Sequence, residues 1–165
     1  MTPTSTLPAP PVRVLAHPAP QRSLEHALEL ALDDDQRLGT GTALLLVEVT
    51  AHAGAPCRTV LERRMRSAVR AADRWLAMAP GLHAVLLTGL RPAVAEVTVE
   101  RAADALLHAV ERWAPTDPGT GVVASVGASL APVRAATAAE AVRQAGAALS
   151  AARAAGGGCA RIGTA

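Results

Sequence analysis

Trp75-Leu76-Ala77-Met78-Ala79-Pro80-Gly81-Leu82-His83-Ala84-Val85-Leu86-Leu87-Thr88 decides the fold. Two apolar runs, the second the stronger, meet at Pro80-Gly81. Proline presets φ for the first corner of a turn and glycine tolerates the positive φ of the second, so the stretch reads as a β-hairpin. Its tip carries no carboxylate, thiol or hydroxyl.

Upstream of the hairpin, residues 57 to 74 read as a helix with Leu61, Met65, Ala68, Val69, Ala72 and Leu76 inward. The outer face then carries Arg63, Arg66, Arg70 and Arg74 as one stripe. A row of guanidinium groups suits phosphate, to which each gives two parallel hydrogen bonds; a solvated helix surface is the plainer reading. Before it, Gly39-Thr40-Gly41 breaks the chain ahead of Thr42-Ala43-Leu44-Leu45-Leu46-Val47-Glu48-Val49. Such a near-continuous apolar run is expected of a central strand buried on both faces. Glu48 is its odd residue. It either reaches solvent at the strand end or has a partner, because an unpaired buried carboxylate is costly.

Nearer the start, Ser23 is placed to cap a helix with Leu24, Ala27, Leu28, Leu30 and Ala31 on one face, ending in Asp33-Asp34-Asp35. The three aspartates read as a solvated helix end rather than a cation site. Residues 1 to 20 hold six prolines (Pro3, Pro8, Pro10, Pro11, Pro18, Pro20), a composition of an extended tail, which leaves residues 21 to 163 as a single domain.

Downstream, residues 93 to 113 form a helix pattern with Val97, Ala102, Ala105, Leu106, Val110 and Trp113 inward. A Pro- and Gly-rich loop follows, then the strand Val122 to Leu130, an alanine-rich helix over 138 to 154, and a short strand at Cys159 to Ile162. Gly156-Gly157-Gly158 lacks the lysine and following helix of a phosphate loop and reads as a helix stop. The order is a ferredoxin-like βαββαβ core with additions, an α+β fold with a mostly antiparallel sheet flanked by helices.

Composition excludes several classes. Half of the 165 residues are apolar, yet Phe and Tyr are absent and the aromatics are Trp75 and Trp113 alone, so the core is built from Ala, Val and Leu. All sixteen Lys/Arg positions are arginine and the net charge is only +2. Without arginine blocks interleaved with stacking aromatics, DNA or RNA is not expected as a partner. Cys57 and Cys159 suggest no disulfide framework, and no Cys or His lies at zinc-ligand spacing. No apolar run is long enough for a bilayer, and the start is not that of a signal peptide, so a cytoplasmic setting is expected.

The element order, with Val47-Glu48-Val49, Arg70-Ala71-Ala72-Asp73, Ser125-Val126-Gly127 and the stretch Ala145 to Gly156, resembles the GGDEF family of diguanylate cyclases, which condense two GTP molecules into cyclic di-GMP. The likeness runs from about Ser23 to Ile162. Counting on from Asp73, the signature motif falls on Ala79-Pro80-Gly81-Leu82-His83. In active relatives its glycines let GTP lie against the hairpin and its acidic residues support metal binding and catalysis. Pro80 instead removes a backbone donor, and Gly81 and Leu82 stand where the carboxylates belong. Glu48 and Thr50 match two first-strand aspartates, Ala55 falls near a guanine-binding aspartate, and Arg153 matches a phosphate-contacting lysine.

The resemblance therefore implies a degenerate domain: not an enzyme, without cofactor or metal, acting as a regulatory module through a protein partner or as a homodimer. Glu48 and Arg153 are the remnant of its nucleotide site. An alternative is a cyclic di-GMP receptor, because Arg70 and Asp73 match the R-x-x-D motif of the family's inhibitory site. The further arginine that relatives supply from the next helix has Ala105 in its region. A second alternative is residual GTP-using cyclase activity built on Glu48. His83 replaces a core phenylalanine and is expected as a packed ring.

Overall fold

The computed structural model describes residues 18–51, 58–112, 121–133 and 135–163. The tail before Pro18, His17, the segment with His52, Ala55 and Cys57, and the stretch from Trp113 to Thr120 lie outside the described residues.

Strand β1 (Gly41–Ala51) is the axis of a five-stranded sheet. Its residues from Ala43 to Val47 are all buried, as a continuous apolar run demands when both faces are covered. β2 (Arg74–Ala79) and β3 (Leu82–Leu90) form the expected hairpin. With β4 (Val122–Ala131) and β5 (Cys159–Ile162) the sheet order is β2-β3-β1-β4-β5, antiparallel throughout except for the parallel pair β4 and β5.

Alternation along β1 separates two cores. Ala43, Leu45 and Val47 face α2 (Arg58–Ser67) and α3 (Ala95–Glu111), packing with Leu61, Met65, Val99 and Leu106. Leu44 and Leu46 face α1 (Pro18–Leu38) and α4 (Ala138–Ala154), packing with Leu24, Leu28, Ala145 and Leu149. The fold is the α+β sandwich expected, with helices on both faces of the sheet.

Three helices depart from their expected limits or faces. α1 starts at Pro18, inside the stretch read as tail, because a proline costs no hydrogen bond in a helix's first turn. Ser23 is consequently not a cap: its hydroxyl donates to the carbonyl of Ala19, one turn back. The helix also runs through the aspartates, and Asp35 is buried, accepting from the Thr40 hydroxyl at 2.7 Å. α2 stops at Ser67, seven residues short of Arg74. Arg70 to Asp73 is a turn, in which the Asp73 amide donates to the Arg70 carbonyl (3.0 Å) and the Asp73 carboxylate accepts from the Arg70 amide (2.8 Å). An aspartate bonding nearby backbone in this way competes with the helix. The expected arginine stripe is therefore broken between helix, turn and strand. In α3 the buried face is Val99, Ala103, Leu106, Leu107 and Val110, while Val97 is 48% exposed.

Gly81 sits at the hairpin corner with φ 82°. Its carbonyl accepts from the Val49 amide at 2.8 Å, and a β carbon there would lie 2.8 Å from the Val49 carbonyl oxygen. Both the positive φ and the contact with backbone exclude a side chain. Gly81→Ala is expected to cost about 1–3 kcal/mol, read as a lower urea midpoint with an unchanged slope.

Candidate functional site

The even-numbered side of β1 that faces α4 carries Glu48 out to the sheet's end, where Arg153 of α4 meets it. Arg153 Nε lies 2.9 Å from Glu48 Oε2, as an ion pair without the alignment of a hydrogen bond. The side chains are 44% and 27% exposed, so water screens the pair and it contributes about 1 kcal/mol or less. The two residues expected as the remnant of a nucleotide site thus lie together, and they face each other.

Glu48 is directly opposite Leu82 in the β1–β3 ladder and opposite Ser125 in the β1–β4 ladder. Leu82 is buried, and no carboxylate comes from the hairpin tip to share a cation with Glu48. Among the described residues no group of three or more His, Cys, Asp or Glu is arranged to hold a metal ion. His83, the next residue, is 2% exposed: its Nε2 is 3.5 Å from Glu62 Oε1, and its ring lies 4.9 Å from that of Trp75 with the planes at 34°. This is the packed ring expected, held between helix α2 and strand β2.

Arg70 and Asp73 lie on the other side of the sheet, at a cavity of about 200 Å³ between the turn after α2 and helix α3. Its floor includes Val69 and Leu87. From α3 come Thr98, Arg101, Ala102 and Ala105, at i, i+3, i+4 and i+7, one stripe of the helix. Ala105 is where expectation put it. The arginine missing at that position is present one turn earlier, as Arg101. Ala102, which packs against the core, and Ala105 lie at the border of the inward face of α3, and Arg101 extends that border to the cavity. The signal was available in the sequence as the i, i+4 pair Arg101/Ala105. The cavity therefore has two guanidinium groups, one carboxylate and an apolar floor. Asp73 is part-buried while both arginines are exposed. That donor set can bind an anion and accept an N–H beside it.

Solved structures share this architecture. The GGDEF domain of YfiN (also TpbB) from Pseudomonas aeruginosa matches with a TM-score of 0.69 over 87% of this chain and 95% of that one, at 21% identity. The chain has the GGDEF-domain fold. The GGDEF domain of DgcB from Caulobacter crescentus, in complex with c-di-GMP, matches at TM-score 0.62 and 14% identity, covering 87% of this chain and 89% of that one. The diguanylate cyclase SiaD from Pseudomonas aeruginosa, in complex with its activator SiaC, matches at 0.60 and 23% identity, covering 88% of this chain and 58% of that one. No family model matches the sequence. No curated protein matches it either. The GGDEF-type fold is thus retained at identities where the chemistry of each site has to be read from its own residues. No helix among the described residues is long and apolar enough to cross a membrane.

Proposed function

We propose that this chain is a regulatory signalling module with the GGDEF fold that does not cyclise GTP and acts through contacts with another protein or a second copy of itself. The observation that carries this reading is the pairing of Glu48 with Arg153 opposite a hairpin tip made of Ala79, Pro80, Gly81 and Leu82. Attack of a ribose hydroxyl on an α-phosphate needs metal to neutralise developing charge. Glu48 is one carboxylate, its neighbours across the ladder are Leu82 and Ser125, and its own charge is met by a guanidinium. A divalent cation there would have to displace Arg153 and then rely on water for its other ligands. SiaD, of the same fold, is found with an activator protein, which supports protein contact as a mode of regulation. Incubation of the purified chain with GTP and Mg²⁺ or Mn²⁺ is expected to yield no cyclic di-GMP. Turnover that falls on Glu48→Gln would overturn the reading in favour of a residual cyclase.

A second reading is favoured by the cavity at Arg70, Asp73 and Arg101: the module takes cyclic di-GMP as its input. At about 200 Å³ the cavity is below the roughly 300–1,000 Å³ of pockets that enclose a ligand. It suits a phosphate and one guanine edge, with the rest of a dinucleotide on the surface. Titration calorimetry with cyclic di-GMP tests this directly. Binding is expected in the wild type, and binding that survives Arg70→Ala unchanged would remove the site.

A further inference from the structure

The hairpin's outer strand carries a feature that neither reading uses. β2 is the first strand of the sheet order, paired with β3 on one side, and among the described residues no strand lies beside its other edge. Open edges of this kind are usually short, or covered. Around it the charge is lopsided: residues 63 to 74 hold Arg63, Arg64, Arg66, Arg70 and Arg74 against Asp73 alone, a local +4 in a chain whose total is +2. Arg63, Arg64, Arg66 and Arg74 are exposed and none is ion-paired among the described residues.

The geometry places these charges on both sides of the edge. Glu62 of α2 meets His83, which pairs with Ala77 of β2. The Glu62 side of α2 thus faces the hairpin, and Arg66, four residues on, shares it. Arg74 projects from the opposite face: it is opposite Leu86, which belongs to the core under α1 and α4, whereas Trp75 is opposite Val85 of the other core. A strand laid along β2 would therefore have arginine near each of its faces.

We propose that the free edge of β2 is a docking site for an extended acidic segment of a partner protein, which adds as a sixth strand with its carboxylates toward Arg66 and Arg74. Backbone bonds supply the attachment and the arginines select the charge. The same charges disfavour the simplest competitor, edge-to-edge pairing of two copies, which would bring two strongly positive 63–74 regions together. Nucleic acid is a poor occupant: among the described residues the aromatic at this edge, Trp75, is packed against His83 rather than offered for stacking.

The test uses the full chain and a fluorescein-labelled synthetic peptide in which pairs of adjacent glutamates alternate with pairs of valines, so that carboxylates fall on both faces of an added strand, with the same peptide carrying lysine for glutamate as its counterpart. By anisotropy at low salt, the glutamate peptide is expected to bind and the lysine peptide not to. Affinity should fall about tenfold or more in the exposed double variant Arg66→Glu with Arg74→Glu, and also on raising salt. Amide hydrogens of Trp75 to Ala79 should gain protection from exchange only when the glutamate peptide is present. No binding, equal binding of both peptides, or binding without protection of β2 would each overturn the proposal. Arg66 and Arg74 are outside the Arg70–Asp73–Arg101 cavity, so loss of peptide binding with intact cyclic di-GMP binding separates this site from that one.

Discussion

Gly127→Ala is expected to remove a large share of the stability of this fold. A β carbon at Gly127 would lie 2.1 Å from the amide nitrogen of Leu149, 2.3 Å from the carbonyl oxygen of Ala145 and 2.6 Å from the Leu149 α carbon. All three are backbone atoms of α4, so no rotamer change relieves the contact and helix and sheet must separate. β4 is the strand on which α4 rests, and Ala145 and Leu149 are fully buried beside it. Moving the helix outward loosens that entire face. Overpacking in a rigid core commonly costs about 1–3 kcal/mol and more where backbone itself is displaced; here about 3 kcal/mol or more is expected. Since domains have only about 5–15 kcal/mol in total, the variant should show a sharply lowered denaturation midpoint. Gly121→Ala, where a β carbon meets nothing within 4 Å, is the control and should stay within about 0.5 kcal/mol of wild type. If Gly127→Ala matched that control, the close approach of α4 to β4 would be wrong.

Part of the fold is legible in the sequence. β1 declares itself by the near-continuous apolar run from Ala43 to Val47, and the hairpin by a Pro-Gly corner whose positive φ glycine supplies. Strand order follows, because a βαββαβ chain with right-handed crossovers has few ways to close one sheet. Helix limits were less legible. The arginine period of α2 continues past Ser67 in sequence, but the Asp73 carboxylate takes the Arg70 amide out of any helix, a bond that periodicity does not register. Pro18 and Pro20 looked like tail because a proline within a helix interior is disruptive, yet in a first turn it is not.

The site was legible to different depths for similar reasons. Glu48 stood out as a carboxylate in an apolar strand, but its partner Arg153 lies 105 positions later and was matched through family likeness rather than through any local pattern. Arg101 lies outside the apolar pattern that marks the helix. Leu106 and Val110 are inward as expected, but Val99 and Ala103 are buried with them while Val97 is exposed, and the stripe beside that face carries Arg101 toward Arg70. Successive residues of a helix are turned by roughly 100°, so an arginine just beside the buried face reaches a cavity that the apolar period does not mark.

Arg101 also gives the sharpest expectation for ligand binding. If cyclic di-GMP is held at this cavity, Arg70→Ala and Arg101→Ala should each weaken it by about tenfold or more, because a charge-assisted hydrogen bond to phosphate contributes about 1.5–3 kcal/mol and solvent screening at exposed arginines takes the lower end. The two guanidiniums come from separate elements, a turn and a helix, so they converge only in the folded chain. Two phosphates, one per arginine, would make the double variant's loss the sum of the single losses. One shared phosphate would make it less than additive, with a coupling of about 0.5 kcal/mol or more. Asp73→Asn tests the third group differently. Its carboxylate already accepts the Arg70 amide, so a pure ligand role predicts lost affinity at unchanged stability, and a pure turn role predicts the reverse. Calorimetry on the four variants, with denaturation midpoints beside it, distinguishes a dinucleotide site from three residues that merely shape a turn.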